Sequence, residues 1–270
     1  MSKAPGVGAT MRKRLADGEL LLCMSIGQAR TVDVPMMVQA CGFDAIYVDL
    51  EHTATSLETA SMLCAASIGI GLMPMVRVPS HDHQYLTRAI DTGAVGVVVP
   101  HVDTRAQAEH VVRVCRFPPV GKRSVVGPNP VTRFAAMSLT ETLAFLEQET
   151  FVVCMLETPE AISQADAIAS VPGVDMLLIG SHDLSVEMGI PGQFHDAGYR
   201  AAVASAAAAA KRHGKAMGIA GIKNEVDLLS EFVAAGVRFV SPGTDAGYFM
   251  EAARASSARL RSALTPAERS

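Results

Sequence analysis

Eight short apolar runs recur along the chain, at 20–26, 44–48, 72–78, 95–99, 151–156, 174–179, 215–219 and 237–240. Between them lie segments whose apolar residues return at helical spacing: 33–40, 56–67, 83–91, 104–115, 139–148, 159–169, 199–213 and 224–234. The runs are continuous rather than alternating, as in parallel strands covered by helices on both faces. Eight strand and helix repeats, with no GxGxxG after the first run, predict an α/β chain folded as a (β/α)8 TIM barrel rather than a doubly wound nucleotide-binding sheet. Cys41-Gly42, Gly93, Gly173, Gly214 and Gly236 each fall between a helix and the next strand, where a glycine C-cap is expected, and mark helix ends on the barrel floor. The alanine-rich stretch 201–210 reads as an outer-ring helix. Residues 1–270 form one domain in this reading, with 246–264 an amphipathic helix beyond the eighth unit; packing on its own barrel and packing on a neighbour's both stay open.

One interval breaks the rhythm. Residues 116–136 hold Pro118-Pro119, Gly121, Gly127-Pro128 and Asn129-Pro130 without periodicity, and a loop of that length is functional or disordered. Its Lys122, Arg123 and Arg133 read as solvated charges with anion binding as the alternative.

Composition narrows the function. At 270 residues and 49% hydrophobic the chain can bury a large core, and its net charge of −4 with scattered basic residues excludes a nucleic-acid surface or an anionic-membrane footprint. A small-molecule partner is expected. The first apolar run follows Asp17 and Glu19 and reads as a strand, not a secretory signal, and no run approaches the roughly 18 apolar residues of a spanning helix. Five cysteines without CxxC spacing lie mostly in apolar stretches, which points to free thiols and a cytoplasmic setting.

The suggestive polar residues follow strands: Asp49, Glu51 and His52 after the second, Arg77 at the end of the third, His101 and Asp103 after the fourth, Glu157 after the fifth, and Ser181, His182 and Asp183 after the sixth. In a barrel these crowd one rim. Glu157 and Asp183 offer hard oxygen donors with no zinc-type Cys or His spacing, so the implied ion is Mg2+ or Mn2+, with Co2+ also possible. For Glu157 the alternative is an acid favoured at the helix start before Pro159, and for Asp183 a first-turn acid of a short helix. Arg77 suits a substrate carboxylate or a developing oxyanion, or else pairs with Asp49 or Glu51. Imidazoles change charge near neutrality, which suits His52 to proton transfer, against the alternative of a surface histidine. Asp91 ends a helix whose dipole disfavours a carboxylate there, which calls for a compensating partner or simple exposure.

Residues 48–52 (Val-Asp-Leu-Glu-His), 76–79 (Val-Arg-Val-Pro), 91–94 (Asp-Thr-Gly-Ala), 99–104 (Val-Pro-His-Val-Asp-Thr), 121–124 (Gly-Lys-Arg-Ser), 156–158 (Leu-Glu-Thr) and 180–185 (Gly-Ser-His-Asp-Leu-Ser) resemble, in order and spacing, the HpcH/HpaI class II pyruvate aldolases. The resemblance implies reversible cleavage of a 4-hydroxy-2-oxo acid to pyruvate and an aldehyde, with a metal held by Glu157 and Asp183. It further implies His52 as acid/base, Arg77 at the oxyanion, Asp91 raising the basicity of His52, and a homo-hexamer of two trimers that exchange the C-terminal helix. Because a helix end on the floor cannot reach a histidine at its own rim, Asp91 is expected to serve a neighbouring subunit. Ser181, His182 and Asp183 are the expected substrate contacts, and Asp49 and Glu51 the groups that orient Arg77, water or the histidine. Met155 stands where many members carry Gln, and Ser181-His182 where many read Pro-Ser or Pro-Ala. A CoA-thioester lyase or oxaloacetate decarboxylase on the same site, or a silent 2-oxo-acid-binding barrel, are the alternatives.

Overall fold

The computed structural model describes residues 6–264. Eight strands, β1 (Leu21–Ile26), β2 (Ala45–Asp49), β3 (Met73–Arg77), β4 (Gly96–Val99), β5 (Phe151–Leu156), β6 (Met176–Gly180), β7 (Ala216–Ala220) and β8 (Phe239–Thr244), pair in sequence order. All pairings are parallel, and β8 returns to β1 through Leu21↔Phe239, which closes the barrel. The helices are α1 (Val7–Ala16), α2 (Val34–Ala40), α3 (Leu57–Ile70), α4 (His83–Asp91), α5 (Arg105–Cys115), α6 (Leu139–Glu149), α7 (Pro159–Ser163), α8 (Ala165–Ala169), α9 (Ser181–Glu187), α10 (Ala197–Arg212), α11 (Val226–Ala235) and α12 (Asp245–Leu264). The α/β barrel expected from the apolar runs is therefore present, with its extra C-terminal helix. The predicted helix 159–169 is two short ones, because Gln164 leaves the helical region at φ −95° and ψ 1°.

Side chains alternate across each strand, so the covered strands feed two cores. Tyr47, Met75, Val98, Val153, Met155, Leu178 and Phe239 fill the barrel interior. Ile46, Val48, Val76, Val152, Leu177 and Ile219 face outward against Leu63, Leu86, Val111, Ile168, Val203 and Phe232 of the helices. This alternation places the chemistry: Asp49, Arg77 and Glu157 each stand two residues beyond Tyr47, Met75 and Met155, and so continue the inward rows at the rim. The five glycines expected to end helices all have φ between +63° and +120°.

Helix starts are locally encoded, with capping boxes at Thr104/Gln107 for α5 and Ser138/Glu141 for α6. The floor carries a helix with no sequence expectation, α1, which buries Val7, Met11 and Leu15 against the barrel bottom. Its first-turn N–H groups, which have no intrahelical acceptor, are met from afar: Glu149 Oε2 accepts from the buried Gly8 N at 2.7 Å. Burial holds the Glu149 carboxyl above its ordinary range, and those backbone donors offset only part of it. Nearby, Asp175 accepts from Arg12 NH2 at 3.0 Å, from Val152 N at 2.7 Å and from the buried Arg116 guanidinium.

The 116–136 interval lacks regular structure but is not a solvated loop throughout. Arg123 is buried, with NH2 2.8 Å from Asp91 Oδ1 and its guanidinium carbon 4.8 Å from the Phe117 ring centre. Asn129 and Thr132 lock a turn by mutual hydrogen bonds of 3.0 and 3.1 Å. The carboxylate at the end of α4 is thus offset by a buried cation.

Removing one partner of a largely buried ion pair leaves the other charge stranded. Asp175→Ala should lower stability by about 3 kcal/mol, read as a lower urea midpoint with an unchanged slope.

Candidate active site

The pairing of Asp49 with Arg77 in the β2–β3 register sets two opposite charges side by side at the mouth. Arg77 donates from Nε and NH2 to the two Asp49 oxygens, each at 2.9 Å, in a bidentate fork. The ion pair foreseen as the alternative for Arg77 is therefore formed. Burial opposes both charges, but the fork and the mutual attraction win, so the Asp49 carboxyl sits below its ordinary range and the guanidinium above its own. Tyr47 lies beneath, its ring centre 5.4 Å from the guanidinium carbon, and burial pushes its phenol well above the ordinary value.

Asp49 also shapes the segment that follows. Its Oδ1 accepts from Glu51 N at 3.0 Å, which folds Leu50, Glu51 and His52 into a tight turn over the mouth. Glu51 Oε2 comes 3.1 Å from Arg77 NH1 and 3.6 Å from His52 Nε2. Neither approach has hydrogen-bond alignment, so Glu51 Oε2 is a buried acceptor without a donor. The His52 side chain is 61% exposed, which leaves its ring open to a substrate above the fork.

Across the mouth, Glu157 is 1% exposed. Its Oε2 accepts from His101 N at 2.9 Å, and the His101 ring bridges toward both carboxylates, 3.4 Å from Glu157 and 3.8 Å from Glu51. His101 has φ +50°, a left-handed conformation uncommon outside glycine. The sequence marks it only as one of several rim residues, and nothing in its context signals the unusual backbone that turns its N–H onto Glu157. The Glu157 carboxyl is raised above its ordinary range, first by burial and then by repulsion from Asp183 and Glu51, with His101 offsetting part. Gly180 makes room for it, since a Cβ there would stand 2.5 Å from Glu157 Oε1.

Asp183 and His182 are exposed in the first turn of α9, which follows β6 without a break. The His182 ring leans edge-on against Phe194 at 5.6 Å, and at Gly221 (φ +90°) a Cβ would stand 2.6 Å from its Nδ1. Ser181 Oγ is buried beside the Tyr199 hydroxyl, and neither closes a well-aligned hydrogen bond. Asp91 does not join this group within the chain. It lies on the floor, half-buried against Arg123.

The model of the HpcH/HpaI aldolase/citrate lyase family matches residues 29–252. The chain belongs to that family. It is 43% identical over 208 residues to a 4-hydroxy-4-methyl-2-oxoglutarate aldolase of Hapsidospora irregularis, covering 75% of this chain and 77% of that one. It is 31% identical over 254 residues to a 4-hydroxy-2-oxovalerate aldolase of Rhodococcus jostii, covering 93% and 95%. The crystal structure of an HpcH/HpaI aldolase from Desulfitobacterium hafniense superposes with a TM-score of 0.86 at 24% identity over 96% of this chain and 99% of that one, a likeness of fold.

A divalent cation fits these residues. The buried Glu157, its repulsion from Asp183 and the donorless Glu51 oxygen concentrate negative charge at one point of the mouth. Among the described residues no group of three or more His, Cys, Asp and Glu gathers as a cage.

The raised Glu157 carboxyl has a consequence for stability. The folded state binds that proton more tightly than the unfolded state, so its contribution is present below about pH 4 and is lost as pH rises through the raised value. Glu157→Gln should therefore raise the thermal midpoint of metal-free protein at pH 7, and the gain should shrink toward pH 4, followed by circular dichroism.

Proposed function

We propose that the rim is the active site of a class II aldolase that reversibly cleaves a 4-hydroxy-2-oxo acid into pyruvate and a carbonyl compound. The observation that carries this reading is the convergence of the Arg77 fork, the open His52 ring and the charge-crowded Glu157 on one mouth, in a chain whose relatives are aldolases. Glu157 and Asp183 would hold Mg2+ or Mn2+. When bound, the ion supplies a Lewis acid that draws electron density from the 2-oxo group.

The protein's own residues divide the rest. The first-turn backbone N–H groups of α9 at Ser181, His182 and Asp183, which lack intrahelical acceptors, receive the substrate carboxylate, while the buried Ser181 hydroxyl faces Tyr199. Asp49 holds the Arg77 fork by two of its donors, and the remaining N–H groups are free to donate to the 2-oxo oxygen as it gains charge. His52 takes the proton of the C4 hydroxyl, the C3–C4 bond breaks with its electron pair left on C3, and the same proton is returned there to give pyruvate. Glu51, within 3.6 Å of the His52 ring, steadies the imidazolium between the two transfers.

The relatives' substrates bear on the second product. The Rhodococcus jostii enzyme is named for 4-hydroxy-2-oxovalerate, whose C4 carries a hydrogen and leaves as an aldehyde. In 4-hydroxy-4-methyl-2-oxoglutarate, named for the Hapsidospora irregularis enzyme, C4 is fully substituted and leaves as a ketone. We extend the proposed products to both.

The first turn of α12 is held on its own barrel through Asp245 and Tyr248, but no residue of the helix is fully buried there, and Phe249 is 70% exposed. That supports a homo-hexamer in which this helix is exchanged, with Asp91 of one subunit directed to His52 of another.

Pyruvate release from 4-hydroxy-4-methyl-2-oxoglutarate and 4-hydroxy-2-oxovalerate, coupled to lactate dehydrogenase, tests the assignment. EDTA should abolish it, Mg2+ or Mn2+ should restore it, and His52→Ala should lower kcat by roughly 10²- to 10⁴-fold; full activity after verified metal removal contradicts it.

Mixed oligomers test the sharing of Asp91. Asp91→Asn keeps an acceptor for Arg123, so hexamers assembled from Asp91→Asn and His52→Ala subunits should recover activity that neither variant has alone. Failure in verified mixed oligomers rules the shared site out.

A further inference from the structure

The floor of the barrel, at the opposite end from the rim, holds a cleft of about 610 Å³ that the chemistry described so far does not use. Its walls combine apolar surface from Leu15, Phe151 and Met217 with the cations Arg12, Lys211, Lys215 and Arg238, against a single carboxylate, Asp175. That carboxylate is already committed. It accepts from Arg12, from Arg116 behind the wall and from Val152 N. The two arginines are held by the backbone: Arg12 NH2 donates to Thr150 O at 2.7 Å, and Arg238 NH1 to Val237 O at 2.8 Å. Lys211 and Lys215, by contrast, have neither a hydrogen bond nor an ion pair among the described residues. Arg12 is thus neutralised, but in a chain of net charge −4 three cations without a carboxylate partner, Lys211, Lys215 and Arg238, lining a concave surface form an electrostatic trap for anions.

We propose that this floor cleft is a binding site for a small, multiply charged anion, with the unpaired Lys211 and Lys215 as its clamps and Arg12 and Arg238 as its fixed walls. The cavity is of the size that small-molecule sites occupy, and its apolar side accommodates a carbon skeleton while the cations take the charged groups. Burial depresses the Lys215 ammonium, the neighbouring Arg116 adds to this, and Asp175 offsets only part. A bound anion removes that strain. Phosphate esters and polycarboxylates share the required chemistry. Because Asp175 also anchors β5 and β6 through Val152, an occupant of the cleft would tighten the barrel bottom without touching the rim.

Calorimetric titration of the metal-free full chain with pyrophosphate and with citrate, at constant ionic strength, tests the site. The expected result is saturable binding near one per chain, weakened about tenfold or more in Lys211→Ala/Lys215→Ala and unchanged in Arg77→Gln, which removes the cation of the rim. Binding of pyrophosphate alone assigns a phosphate ester, binding of citrate alone a polycarboxylate, and binding of both the shared chemistry. Lys215→Met, which keeps the apolar stem, guards against a packing effect and should weaken binding in the same direction. No binding beyond a general salt effect, equal affinity in the double variant, or loss of binding in folded Arg77→Gln overturns the proposal.

Discussion

The fork between Arg77 and Asp49 is the interaction from which the mouth is built. Its two bonds of 2.9 Å tie the ends of β2 and β3 together inside the barrel, where either charge alone would be costly. One Asp49 oxygen then serves twice, holding the arginine and capping the turn that carries Glu51 and His52. Position and electrostatics are therefore coupled: the group that fixes the guanidinium also fixes the distance from it to the imidazole. The phenyl face of Tyr47 below excludes water from the under side of the fork.

Across the mouth the opposite strategy is used. Glu157 is buried beside other carboxylates rather than beside a strong cation, and the fold accommodates it with a glycine at 180 and a left-handed backbone at His101. A fold optimised for stability alone would neutralise such a group. Left charged at the mouth, it is the group the proposed metal ion would neutralise.

Much of this was legible in the sequence, for a physical reason. Strands covered on both faces must be apolar throughout, so β5 is visible as 151–156 to the residue, and α4 as 83–91. The polar residue that ends such a run is conspicuous, which is why Asp49, Arg77, Glu157 and Asp183 stood out. Other features are set by tertiary context. Arg123 sits among prolines and glycines and looks solvated, yet it is buried against Asp91, from a segment 32 residues away. Helix α1 has its N-terminus satisfied by Glu149, so no local cap announces it. The role of His101 depends on a backbone torsion that no residue-type rule assigns to histidine. The assignment of metal and proton-transfer roles to particular side chains rests on the family resemblance and the chemistry of the donors, and is proposed rather than read off.

Closure of the barrel through β1 and β8 joins Leu21 to Phe239, so the first strand waits for the last. During synthesis, nearly the whole chain must leave the ribosome before the ring can form, and until then β1 presents an unpaired backbone edge. Repeats in the middle of the chain can pair as they emerge, but the cooperative unit is complete only at residue 244, where β8 ends and α12 begins. A truncation that spares every rim residue yet removes β8 would therefore leave an open sheet prone to association rather than a weakened enzyme.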